Sequence, residues 1–143
     1  MSENAKTASG RVAVITGASR GIGAAIAETL RDAGYRVASF DISDAAPEGV
    51  LGVACNVTDS VSVDAAFTKV ESELGPVEVL VANAGITRDT LLLRMSDDDW
   101  QKVIDVNLSG AFRVVKRATR GMMKQRFGRI VATSSVVGLL GSA

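Results

Sequence analysis

No histidine occurs anywhere in the 143 residues. Its absence removes the side chain that most often acts as a general base near neutral pH, every Ser-His or Cys-His nucleophile pair, and most zinc sites, so no metal centre is expected. Cysteine occurs once, as Cys55, which forbids an internal disulfide and suits a reducing compartment. No uninterrupted apolar run is long enough to span a bilayer. Residues 1–10 are small and polar, without the apolar centre of a signal peptide, and are expected to form a frayed leader on a cytoplasmic protein. Acidic residues also run out: none follows Asp105, whereas Arg113, Lys116, Arg117, Arg120, Lys124, Arg126 and Arg129 do. That basic third suits an acidic partner or a solvated helix face. Nucleic acid is set aside as its guest, because Phe112 and Phe127 are the only aromatics there.

Glycine is what the chain does have, and it is concentrated in Thr16-Gly17-Ala18-Ser19-Arg20-Gly21-Ile22-Gly23. Ahead of this stretch, Val12 to Ile15 reads as a buried strand; behind it, Ile22, Ile26, Leu30 and Ala33 recur at helical spacing up to Gly34. Glycines at a strand-to-helix turn have separate uses. Gly17 permits the turn, Gly21 lets backbone N–H groups approach a ligand, and Gly23 lets the helix pack on the sheet. A helix N-terminus offers unpaired donors and partial positive charge, so a pyrophosphate is the expected guest.

Further strands are expected at Tyr35 to Phe40, Val50 to Ala54, Val77 to Val81 and Arg129 to Thr133, alternating with helices from Thr58 or Asp59 to Leu74 and from Ser96 to about Gln125. This βαβ rhythm predicts an α/β fold, a Rossmann-type doubly wound parallel sheet with strands in the order 3-2-1-4-5 over residues 11–143. Asp41 stands past the second strand, where an acid meets the adenosine ribose hydroxyls and repels a 2'-phosphate, which favours NAD(H); it is also placed to open a solvated turn. Arg20 pulls toward a 2'-phosphate. Asn107 falls on an apolar stripe with Trp100, Val103, Ile104, Ala111, Val114 and Val115, and so is expected to be buried and hydrogen-bonded.

The segments T-G-x-x-x-G-I-G, Asn83-Ala84-Gly85, Asp105 to Gly110 and Ser135-Val136-Val137-Gly138 resemble, in order, the motifs of the short-chain dehydrogenase/reductase family. The runs Gly85 to Asp89, Leu92 to Met95 and Gly128 to Ile130 look most like 3-oxoacyl-[acyl-carrier-protein] reductases. The resemblance implies NADP(H) as cofactor. Gly17, Ser19, Arg20, Gly21, Ile22 and Gly23 would then lie on its pyrophosphate side, Asp41 on the ribose, Asn56 and Val57 on the adenine, and Asn83, Ala84 and Gly85 at its middle. It implies Ser135 as the hydroxyl on the substrate carbonyl and Asn107 as holder of a water in the proton relay. It implies a homotetramer in which the Ser96 to Gln125 helix packs on its twin, and a substrate carried on an acidic acyl carrier protein. Lys124, Arg126 and Arg129 are expected to steer that carrier near the cleft mouth.

The family's Y-x-x-x-K pair is not among these residues: Tyr35 is the only tyrosine, and Ser39 stands four residues later. The expectation is therefore the N-terminal part of a longer reductase, inactive by itself and with its fifth strand left as an apolar edge. An NAD-linked dehydrogenase of a small hydroxy compound and a non-catalytic dinucleotide-binding fragment remain as alternatives.

Overall fold

The computed structural model describes residues 10–141, so the expected leader lies outside the described residues except for Gly10. Strands β1 (Val12–Thr16), β2 (Arg36–Asp41), β3 (Leu51–Ala54), β4 (Val77–Ala82) and β5 (Arg129–Ala132) form a parallel sheet in the order β3-β2-β1-β4-β5. Helix α1 (Gly21–Asp32) joins β1 to β2, and α2 (Ser60–Glu73) joins β3 to β4. Between β4 and β5 run a short 3-10 turn (Leu92–Arg94), α3 (Asp97–Val103), a π-helical turn (Ile104–Ser109) and α4 (Gly110–Gln125); a short α5 (Val137–Leu140) follows β5.

Strand periodicity divides the core. Val12 and Val14 face one side with Phe40, Leu80 and the inward faces of α2 and α4, where Phe67 meets Phe40 edge to face at 5.1 Å. Ala13 and Ile15 face the other side, against Ala27 and the half-buried Ile26 and Leu30 of α1. Because β1 lies between covered faces, all five of its residues are buried, which is why it reads as a continuous apolar run. At the other extreme β5 pairs only with β4 among the described residues, and Ile130 and Val131 are 43% and 55% exposed. The apolar edge expected from the sequence is present.

Two expectations about helices need correction. Ile22 is 70% exposed at the start of α1 and takes no part in its buried stripe, because the first turn projects past the sheet into the crevice. The helix expected from Ser96 to Gln125 is helical over that span but changes to i→i+5 bonding at Ile104–Ser109, and Gly110 N accordingly donates to Asp105 O. An extra residue in a turn rotates what precedes it by about 100°. Val114 is thus buried while Trp100 is 59% exposed, and Asn107 lies on an open face rather than among apolar side chains.

Candidate functional site: the carboxyl rim of the sheet

Parallel strands gather their carboxyl ends on one rim, and every motif except the basic set ends there. A cavity of about 490 Å³ opens on it, walled by Gly17, Arg20, Gly21, Ile22, Gly23, Asp41, Asn56, Val57, Asn83, Ala84 and Gly85 among others. An adjoining hollow of about 680 Å³ shares Val57, Asn83, Ala84, Gly85 and Ile86 with it and reaches Asn107, Ser134 and Ser135. Of the residues assigned to the dinucleotide, Ser19 is the one absent from the wall, for its side chain is turned onto Asp41.

The glycine turn is tightly built. Gly17 has φ +69°, and a Cβ there would come within 2.9 Å of the Ala84 Cα; one on Gly23 would overlap the Gly17 carbonyl and approach Asn83 Nδ2 to 2.7 Å. Gly21 has φ +60° with open space around the Cβ position, so conformation rather than crowding selects glycine there. Helix α1 begins at Arg20 without a side-chain cap or an acid in its first turn, whereas α2 is capped by Asp59 and α3 by Ser96. Its first N–H groups therefore face the crevice with no side-chain acceptor, a fitting cradle for a diphosphate.

Thr16 is a further residue of the site, beyond those the motifs mark. Its buried hydroxyl accepts from Asn83 N and Ala84 N, both at 2.9 Å. Asn83 Nδ2 in turn donates to the carbonyls of Thr16 and Gly17 at 3.2 and 3.4 Å, and its Oδ1 accepts from Thr133 Oγ1 at 3.2 Å. Asn83 thus latches the ends of β1, β4 and β5 together, which leaves the backbone of this turn and the small Ala84 and Gly85 to face a guest. The signal was a polar residue closing an apolar strand, but its partners lie 67 and 68 residues away.

At the ribose end, Asp41 Oδ2 accepts from Ser19 Oγ at 2.6 Å and Ser19 N at 3.2 Å, and Oδ1 accepts from Ile42 N at 2.8 Å. Burial pushes this carboxyl up, but the Ser19 and Ile42 bonds and the nearby Arg20 charge prevail and hold it below its ordinary range. Asn56 closes an Asx turn, its Oδ1 accepting from Thr58 N and Thr58 Oγ1. Cys55 is buried beside it, and burial pushes its thiol up to about 11.

Asn107 bonds reciprocally with the Ile86 backbone, Oδ1 accepting from N at 2.8 Å and Nδ2 donating to O at 2.9 Å. The π turn presents this amide, and the amide fixes Gly85-Ile86. Ser135 Oγ accepts from Val137 N at 3.2 Å, so its hydrogen is free to point into the hollow. Arg129 begins β5, opposite Val79, and Lys124 lines a groove with Pro76 just ahead of β4. These two, with Arg126 between them in sequence, sit at the amino rim, a strand's length from the crevice. The expectation that they flank the mouth is not met, because a parallel strand puts its first residue at the opposite end from its last.

The whole of residues 11–143 matches the short chain dehydrogenase family model. The 3-oxoacyl-[acyl-carrier-protein] reductase MabA of Mycobacterium avium is 51% identical over 92% of this chain and 51% of its own length. FabG of Salmonella typhimurium, which bears the same reductase name, is 47% identical over 94% of this chain and 58% of its own. In three dimensions the crystal structure of gox2181 superposes with a TM-score of 0.89 at 36% identity, covering 94% of this chain and 57% of that one. The chain spans about half the length of the curated relatives it matches. With motifs, sheet order and crevice in agreement, this chain belongs to the short-chain dehydrogenase family.

Proposed function

We propose that the carboxyl rim binds a nicotinamide dinucleotide and serves the reduction of the 3-keto group of an acyl thioester carried on acyl carrier protein, in the cytoplasm. The carrying observation is the shared wall Asn83 to Ile86, which sets Ser135 and Asn107 beside the uncapped glycine turn. The uncapped N–H groups of α1 hold the diphosphate, Asp41 the adenosine ribose, and Asn56 and Val57 border the adenine. The bound nicotinamide supplies the hydride. Ser135 donates its free hydroxyl hydrogen to the substrate carbonyl oxygen as negative charge gathers there, while Asn107 keeps Gly85-Ile86 in position and borders the proton path. Tyr35 sits just ahead of β2, on the amino rim, so it is not the proton donor to a carbonyl held by Ser135. Reduction also requires a proton donor beside Ser135, such as the tyrosine-lysine pair of the resembled family.

Following nicotinamide absorbance with acetoacetyl thioesters tests the reading. A version with that pair should turn over, and Ser135→Ala should lower its kcat by about 100-fold with dinucleotide binding intact; no turnover with either NADH or NADPH refutes it. The Asp41 carboxylate favours a second reading, an NAD-linked dehydrogenase of a small hydroxy compound, which the same assay separates.

A further inference from the structure

We infer that Ser19 is a positioning residue for cofactor choice: it pins the Asp41 carboxylate so that the site accepts a ribose 2'-hydroxyl and rejects a 2'-phosphate. The inference rests on the dinucleotide reading of the crevice and assigns Ser19 a part that the glycine motif does not indicate.

A carboxylate offers about four lone-pair positions. Both on Asp41 Oδ2 are taken by Ser19, through its hydroxyl at 2.6 Å and its backbone N–H at 3.2 Å, and one on Oδ1 is taken by Ile42 N at 2.8 Å. A single acceptor position on Oδ1 remains, and Asp41 lines the cavity while Ser19 does not. A neutral ribose hydroxyl can donate to that position; a dianionic phosphate cannot. Ser19 has only one hydroxyl hydrogen, and with it committed to Asp41 the residue offers nothing to a phosphate. The same bonds keep the carboxylate ionised, since Asp41 is held below its ordinary range. Arg20 is the one cation among the described residues of the wall. To serve a 2'-phosphate it would need Asp41 to turn away, and three bonds prevent that.

Calorimetric titration of the wild type, Ser19→Ala, Asp41→Ala and the double variant with NADH and with NADPH tests this without any need for turnover. The wild type should prefer NADH. Ser19→Ala should weaken NADH by about tenfold and leave NADPH within about twofold. In the Asp41→Ala background the same change should alter NADH by less than about twofold, because Ser19 then has nothing to hold. Ser19→Thr, which keeps the hydroxyl, should retain the preference, and it carries the test should Ser19→Ala melt too low to titrate. Equal weakening of both dinucleotides by Ser19→Ala would mark a shared diphosphate contact and overturn the inference alone. So would an undiminished effect without Asp41, or a wild-type preference for NADPH. Failure of the wild type to bind either dinucleotide would overturn the reading of the crevice itself.

Discussion

Ser39 shows how single side chains escape a pattern. It lies within β2 between Ile15 and Gly52, fully buried, and its hydroxyl has no hydrogen-bond partner among the described residues. An unpartnered buried hydroxyl costs about 1 kcal/mol or more. Ser39→Ala should therefore raise the urea midpoint by an amount worth about 1 kcal/mol, with the slope unchanged. Cys55 gives a prediction in pH. Its thiol ionises near 9.0 when unperturbed and near about 11 in the fold, so the unfolded chain sheds its proton first. Stability is then full below about pH 9 and falls as pH rises toward 11. Urea midpoints of wild type and Cys55→Ala should lose ground at different rates across that window, the variant losing less. The sequence marked Gly17, Asp41 and Asn83 because each stands at or just past the carboxyl end of a strand. It did not mark Thr16, whose role follows from contacts made only when β1 and β4 are neighbours.

Helix and strand ends were legible because their signals are local. Asp59 and Ser96 cap α2 and α3 as side chains of their type do, Ser96 Oγ accepting from Asp99 N and donating to Asp99 Oδ2. The π turn was not legible, since a 3.6-residue period is assumed in reading any apolar stripe. The end of α4 was legible, at Gln125 as expected, but its cap was not: Arg126 takes the left-handed conformation, φ 56°, that glycine ordinarily supplies at that position. Gly128 cannot supply it instead, being held by close approach, where an added Cβ would meet Met122 Sδ at 2.5 Å. Arg126→Gly should accordingly stabilise the fold by about 0.5–1 kcal/mol, read as a higher melting temperature. Arg126→Val, β-branched in the same conformation, should lower it.

At the scale of the molecule, the basic third proves less basic than its sequence suggests. Arg117 forks onto Glu71 with Asp64 alongside, and Arg113 pairs with Asp105, so acids earlier in the chain meet cations later in it. Charge counting along the chain cannot show this, because α2 and α4 become neighbours only through the sheet. The same helical span carries an uncovered apolar strip: Trp100, Leu108, Phe112, at 63% exposed, and Met123. Isolated exposed apolar residues are ordinary, but several along one helical unit suit a second copy, as a homotetramer built on this span would require. In a two-fold contact each residue faces the partner's matching surface, so one substitution acts twice. Phe112→Asp would set a pair of carboxylates where the two copies' apolar strips would meet. Sedimentation at micromolar concentration should show the wild type associated and Phe112→Asp shifted to smaller species, with far-ultraviolet dichroism unchanged. An unshifted distribution would place the contact elsewhere, and a monomeric wild type would remove it.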